Sequence, residues 1–198
     1  MKIFGVEHVP NAGGAIVCAN HNSYFDIPFL GCALPRPADN IAKTELFRNK
    51  IVGYFFRKLG GFPVRRGKAD HHAMKEALQR LKSGRLLSIY PEGTRSRDGA
   101  LQKGKAGIGM LVTASGVRVI PAFIQGTQRV RPFRRVIVCF GKPIDFSELI
   151  ENASKEGMHT KILYGTIASR VMDEIAILKK QIEKKAFSDK AMNSLGRS

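Results

Sequence analysis

Ala15-Ile16-Val17-Cys18-Ala19-Asn20-His21-Asn22-Ser23-Tyr24-Phe25-Asp26 is the stretch on which the reading of this chain turns. Five consecutive apolar residues read as a strand buried on both faces, the habit of strands inside α/β sheets. That strand ends on a histidine, and a carboxylate follows five residues later. Histidine, with an unperturbed pKa of about 6.5, accepts and returns a proton near neutral pH. A neighbouring aspartate fixes its tautomer and stabilises the imidazolium, so the pair is suited to general base work. Spacing alone is weak evidence. Five histidines and seven aspartates produce a His-x4-Asp pair by chance in about one chain of this length in six, so support must come from elsewhere.

Outward from this stretch, apolar runs at residues 86–90, 117–124 and 136–140 read as further strands, the first ended by Pro91 and the last by Gly141. Between them, Met74, Ala77, Leu78 and Leu81 share one face of a helix expected over residues 69–83, with Gly84 placed as its C-terminal cap. A helix is expected to begin near Ser23, a good capping type, and a shorter one over 106–114. Ile167, Val171, Ile175, Leu178 and Ile182 mark a long amphipathic helix with lysines on its other face. Alternating strands and helices favour a three-layer α/β domain. At 198 residues and 43% hydrophobic content the chain supports one core. A single domain over residues 1–186 is expected, followed by a disordered basic tail at 187–198.

The formal net charge is +17, most of it within the first 150 residues. Such a balance attracts polyanions: nucleic acid, anionic lipid, or an acidic or nucleotide-bearing substrate. Cys18 and Cys139 lie in apolar runs and read as buried thiols, while Cys32 lacks a partner at metal-ligand spacing. A reducing, cytosol-facing location fits this usage, whereas disulfides and zinc do not. Asp70, His71, His72 and Glu76 resemble a metal cluster only superficially, because adjacent histidines point to different faces of a helix. No signal peptide is visible, and no apolar run approaches the ~20 residues of a membrane span, so contact with lipid is expected from the surface.

A second constellation, Tyr90-Pro91-Glu92-Gly93-Thr94-Arg95-Ser96, follows directly on a predicted strand, where α/β sheets place their ligands. Its glycine admits close approach of a ligand to backbone, and its arginine offers a planar fork of donors to a phosphate. The alternative is a polar turn held by a Glu92–Arg95 pair. Gly60-Gly61-Phe62-Pro63-Val64-Arg65-Arg66-Gly67 brings two more arginines beside an apolar strand, as phosphate contacts or as solvated charge. Val119-Ile120-Pro121-Ala122 carries no reactive side chain, so its contribution is limited to apolar shape.

These four blocks, in this order, closely resemble the glycerolipid acyltransferase family, whose bacterial members include 1-acylglycerol-3-phosphate (lysophosphatidic acid) acyltransferases. Asn20-His21 through Asp26 matches the family's His-x4-Asp block, and Pro91-Glu92-Gly93-Thr94-Arg95-Ser96 its Pro-Glu-Gly-Thr-Arg-Ser block. Gly61-Phe62-Pro63-Val64-Arg65-Arg66 resembles the second block and Val119-Ile120-Pro121 the fourth. Ala42-Lys43-Thr44-Glu45-Leu46 and Gln102-Lys103-Gly104 extend the likeness, which spans roughly residues 5 to 145. The resemblance implies a mixed, largely parallel sheet flanked by helices, glycerol-3-phosphate acyltransferase-like. It also implies transfer of an acyl group from a thioester to the sn-2 hydroxyl of 1-acylglycerol 3-phosphate, giving phosphatidic acid. On that reading His21 is the base and Asp26 orients it. Arg66 and Arg95 bind the acceptor phosphate, Glu92, Gly93 and Thr94 shape its site, and Lys103 is a further cation. Arg65 is a neighbour of that site, and Ser23, lacking a Gly-x-Ser-x-Gly elbow, is a structural residue. No metal and no cofactor is implied; acyl carrier protein or acyl-CoA is the acyl donor substrate.

Many family members carry hydrophobic helices ahead of the first block, whereas the twenty residues before His21 read as a strand and a turn. Attachment to an anionic membrane surface, at its cytoplasmic face, is therefore expected from residues 43–68. There Leu46, Phe47, Ile51, Val52, Tyr54, Phe55, Phe56 and Leu59 interleave with Arg48, Lys50, Arg57 and Lys58. The competing expectation is that these apolar residues join the core. Three rival functions remain open to the sequence: an acyltransferase for another lysophospholipid or lyso-aminolipid, a basic nucleic-acid-binding module, and an inactive membrane-binding relative. The absence of tryptophan and of any nucleic-acid motif argues against nucleic acid, and an intact His21 and Asp26 against the last.

Overall fold

The computed structural model describes residues 1–44, 48–58, 60–64, 71–128 and 135–195, with the side chains of Ala42, Lys43, Val52, Phe55, Phe56, Pro63, Val64 and residues 186–195 outside that description. The apolar run Ala15–Ala19 is strand β2, buried at every position. It follows an edge strand β1 (Lys2–Phe4) and precedes helix α1 (Asp26–Ala33), β3 (Ala38–Lys43), α2 (Lys50–Lys58) and β4 (Gly61–Val64). Helix α3 (His71–Lys82), β5 (Leu86–Ile89), α4 (Gly107–Ser115), β6 (Val119–Gln125), β7 (Ile137–Phe140), α5 (Ser147–Lys155) and α6 (Thr160–Leu195) complete the order.

The seven strands form one sheet in the order β1-β7-β6-β2-β5-β3-β4. Among the described strands only β6 and β7 pair antiparallel; the other strand pairs are parallel. β2 lies between β5, paired from Ala15↔Leu86 to Cys18↔Ile89, and β6, paired from Ile16↔Val119 to Ala19↔Ala122. Since the three run in one direction, the segments that leave β2, β5 and β6 emerge at one edge of the sheet. The two constellations read from the sequence are two of those segments.

Alternate residues of each central strand enter different halves of the core. Ile16, Cys18, Leu87, Val119 and Phe123 pack with Ala77 and Leu81 of α3, Leu111 and Val112 of α4, and Ile167, Val171 and Ile175 of α6. On the opposite face, Ala15, Val17, Ala19, Leu86, Ile120 and Ala122 meet Leu30 and Ala33 of α1. The result is a three-layer α/β domain with a mixed, largely parallel sheet. Pro121 sits inside β6, a position that normally loses a ladder bond. The β6–β7 ladder stops next to it, at Ala122↔Phe140, and Gly141 N–H then donates to its carbonyl (2.8 Å).

Helix α1 starts three residues after Ser23. The Ser23 hydroxyl accepts the Phe25 N–H (3.2 Å) and its carbonyl the Asp26 N–H (3.3 Å), a turn that precedes the helix, while the N–H groups of Asn22 and Ser23 donate to the Asp26 side chain. Gly84 takes φ +80°, as the end of α3 requires. Of the residues expected to meet a membrane surface, Leu46, Phe47 and Leu59, with the side chains of Val52, Phe55 and Phe56, lie outside the description. Among the described ones, Ile51 and Tyr54 on α2 are 70% and 57% exposed rather than in the core. No helix among the described residues is long and apolar enough to cross a membrane.

Candidate active site

At the end of β2, Asn20 and His21 are buried although both are polar, so each needs internal partners. The Asn20 amide bonds both polar groups of the Ile124 backbone, donating to its carbonyl (3.0 Å) and accepting its N–H (2.7 Å). In this way β2 stays attached to β6 past its last ladder pair. His21 turns its ring towards α1, where Nδ1 lies 2.8 Å from Asp26 Oδ2. The same oxygen accepts the N–H groups of Asn22 (2.6 Å) and Ser23 (2.8 Å), while Oδ1 accepts the hydroxyl of Thr127. A carboxylate offers only acceptors, and the Asn22 and Ser23 N–H groups and the Thr127 hydroxyl already use them as such, so its hydrogen bond with His21 calls for the proton on Nδ1. The remaining ring nitrogen, Nε2, then carries the lone pair. Tyr90 stacks on the imidazole, with centroids 4.2 Å apart and planes 23° from parallel.

The segment after β5 interlocks with this one. His21 N–H donates to Glu92 Oε1 (3.1 Å), and Ser96 N–H donates to the His21 carbonyl (2.7 Å). Glu92 is buried, and its second oxygen accepts the Gln102 N–H (3.4 Å). Burial drives its pKa up, and the nearby Asp26 charge adds to this, against the two N–H bonds that favour the ionised form. Its carboxylate is thus committed to tying loops together, and the polar turn held by a Glu92–Arg95 pair does not form. Glu92→Ala leaves the His21 and Gln102 N–H groups without their acceptor. A loss of about 1–3 kcal/mol is expected, measured by urea unfolding.

Gly93 adopts φ +68°, and a Cβ there would stand 2.9 Å from the Lys105 side chain. Thr94 bonds Gln102 through its hydroxyl (3.2 Å), and Lys103 is exposed nearby in sequence. Arg95 is exposed, its guanidinium 3.8 Å above the ring of Tyr24, so the arginine of the second constellation rests on the first. Arg65 and Arg66 lie outside the described residues. The strand that leads to them, β4, runs parallel to β3 and so ends at the site's edge of the sheet. Val119, Ile120 and Ala122 are wholly buried within β6.

The structure therefore brings together His21, Asp26, Glu92 and Arg95. Asn20, Thr127, Tyr90 and Tyr24 join them without having been singled out in the sequence. Tyr90 and Tyr24 belong to the two constellations already quoted, and their flat, half-polar side chains beside a candidate base and a candidate phosphate ligand were the available signal. Thr127 offers none, since its partner lies 101 residues away. Among the described residues no group of three or more His, Cys, Asp or Glu side chains is placed to hold a metal ion; Glu76 bonds Arg80 instead (2.6 Å).

The 1-acyl-sn-glycerol-3-phosphate acyltransferase of Bacillus subtilis is 30% identical to this chain over 161 residues, 79% of each chain. That of Streptococcus pneumoniae is 30% identical over 96% of this chain and 69% of its own. The crystal structure of the 1-acyl-sn-glycerophosphate (LPA) acyltransferase PlsC from Thermotoga maritima superposes with a TM-score of 0.64, covering 88% of this chain and 71% of that one at 30% identity. The model of the family described as Acyltransferase matches residues 1–125, which include both interlocked segments, and the chain accordingly belongs to that family.

Proposed function

We propose that this protein moves a fatty acyl group from an acyl thioester to the sn-2 hydroxyl of 1-acylglycerol 3-phosphate, releasing phosphatidic acid. The observation that carries the reading is the buried His21–Asp26 pair with Nε2 unbonded among the described residues, set in a loop laced to Arg95's loop. In the step proposed, the acceptor oxygen attacks the thioester carbonyl carbon while its proton passes to His21 Nε2. The tetrahedral intermediate collapses as the carbon–sulfur bond breaks, and the imidazolium returns the proton to the departing thiolate. An ester and a free thiol result, with no acyl-enzyme. Arg95, with Arg66, pairs with the acceptor phosphate, and Lys103 adds charge beside it. Gly93 and Thr94 give the loop its shape, and Glu92 holds it from beneath.

Either acyl carrier protein or acyl-CoA suits a chain of net charge +17, since one is acidic and the other carries phosphates. Purified protein supplied with lysophosphatidic acid and each donor in turn is expected to form phosphatidic acid. No product with either donor would reject the reading, whereas product only from lysophospholipids lacking the free phosphate would reassign the acceptor. Arg95→Ala is expected to raise the acceptor KM about 10-fold or more and leave the donor KM unchanged, because a charge-assisted bond to phosphate contributes about 1.5–3 kcal/mol. A change confined to the donor would move Arg95 to the other substrate.

We also propose a peripheral seat on anionic lipid, at the cytoplasmic face. Ile51 and Tyr54 stand out of α2 beside the exposed Lys50, Arg57 and Lys58, the mixture that interfacial helices use. Ile51→Glu/Tyr54→Glu is expected to abolish co-sedimentation with vesicles containing phosphatidylglycerol. Undiminished sedimentation would exclude α2 as the contact.

A further inference from the structure

We infer that Thr127 is a positioning residue for the His21–Asp26 pair, and that the turn after β6 is thereby part of the reaction machinery; the inference rests on the acyl-transfer reading. The terminal torsion of an aspartate is broad, so a carboxylate held through one oxygen can rock about its Cβ–Cγ bond. His21 Nδ1 and the Asn22 and Ser23 N–H groups all bond Oδ2 of Asp26. Among the described residues only Thr127 bonds Oδ1, and it does so from a wholly buried position on the far side of the carboxylate. Its hydrogen bond fixes the plane of the group that in turn fixes the imidazole.

The backbone is built to bring it there. Asn20, the residue before His21, clamps both polar groups of the Ile124 backbone, so β6 is registered against the histidine itself. Two residues beyond Ile124 the chain turns, at Gly126, with φ +94°. A Cβ at that position would lie 2.6 Å from the Arg135 carbonyl oxygen, so the turn requires glycine twice over, by conformation and by space. The path Asn20, Ile124, Gly126, Thr127, Asp26, His21 closes into a ring of contacts. None of its members beyond the last two needs to touch a substrate.

Thr127→Val keeps the side-chain shape and removes the donor, and Thr127→Ser keeps the donor. With the full chain, kcat in Thr127→Val is expected to fall roughly 10- to 100-fold at unchanged acceptor KM, the scale of a small misplacement of a reacting group. Thr127→Ser is expected to restore most of it. Purely structural support would lower the unfolding temperature of Thr127→Val and leave kcat below that temperature as it was, which would overturn the inference. So would a serine variant as slow as the valine one, because the methyl group and not the hydroxyl would then be what matters. A second measurement is independent of turnover: the low-field proton resonance of the His21 Nδ1–H, identified by its loss in His21→Ala. It should shift in Thr127→Val and return in Thr127→Ser. If the wild-type chain transfers no acyl group to any lysophospholipid, the acyl-transfer reading fails, and an unmoved resonance would overturn the inference by itself.

Discussion

His21→Ala is expected to lower turnover by about 10²- to 10⁴-fold, the range over which a positioned general base acts, with little change in fold. The second half of that expectation follows from how His21 is held. Its backbone N–H donates to Glu92 and its carbonyl accepts from Ser96, and both bonds belong to the main chain, so alanine retains them. What the substitution removes is the ring: the Nδ1 bond to Asp26 and the stack on Tyr90. Asp26 keeps three donors, from Asn22, Ser23 and Thr127, and is not left bare. Asp26→Ala is the less clean experiment, because it strands those same three donors in a buried site, and stability and activity fall together. Steady-state kinetics on His21→Ala, with circular dichroism to verify the fold, therefore isolates the chemistry. Turnover like that of the wild type would sink the proposed mechanism. A variant whose acceptor KM rises while kcat is retained would show His21 to be a binding group instead.

What the sequence disclosed, and what it concealed, divides along the range of the interactions. The run Ala15–Ala19 and the apolar stripes of α3 and α6 are local periodicities set by burial, and they were legible as such. Strand β3 was not, because Ala38-Asp39-Asn40-Ile41-Ala42-Lys43 is polar where a buried strand is usually apolar. Its Asp39 is held in the interior by arginines 41 and 46 residues further along the chain. Strand β4, only four residues long and containing Pro63, was legible as an apolar strand between glycines, but its partner β3 was not. In the site, His21, Asp26 and Arg95 were visible because each belongs to a short motif. Asn20 lies in the same motif, yet its task, clamping Ile124, depends on which strand is its neighbour. Thr127 depends on a turn 101 residues from its partner. Ser23 does accept an N–H through its hydroxyl, that of Phe25, but in a turn that precedes α1, so the helix itself starts three residues later, at Asp26.

The second large effect concerns stability, and it arises in that unforeseen strand. The Asp39 carboxylate is wholly buried, bridged by Arg85, through Nε and Nη2, and by Arg80 Nη1 (3.0 Å). The two arginine side chains are 28% and 51% exposed, so the partners are not equivalent. Removing the acid leaves guanidinium groups that can turn to water, whereas removing the guanidinium groups leaves an anion in the core. Arg80→Met/Arg85→Met, which keeps the aliphatic stems, is therefore expected to cost about 3–5 kcal/mol at pH 7. Asp39→Ala is expected to cost less, about 1–3 kcal/mol. The pH dependence separates this account from simple loss of packing. Burial pushes the Asp39 pKa up, but the hydrogen bonds and charges of Arg85 and Arg80 outweigh it and hold the group below its ordinary value. A depressed carboxylate stabilises the fold above its unfolded pKa, about 3.9, and loses that contribution as the pH falls through its lowered value. In the double methionine variant only burial remains, so the sign reverses: the variant is relieved as Asp39 takes up a proton. The gap in unfolding free energy between wild type and variant should then narrow as the pH is lowered from 7 towards 4. Glu92, whose raised pKa works in the opposite direction, is common to both proteins and cancels from the gap. A gap independent of pH, or an Asp39→Ala variant less stable than the double methionine one, would show that the arginines support β3 by packing and not by neutralising its buried charge.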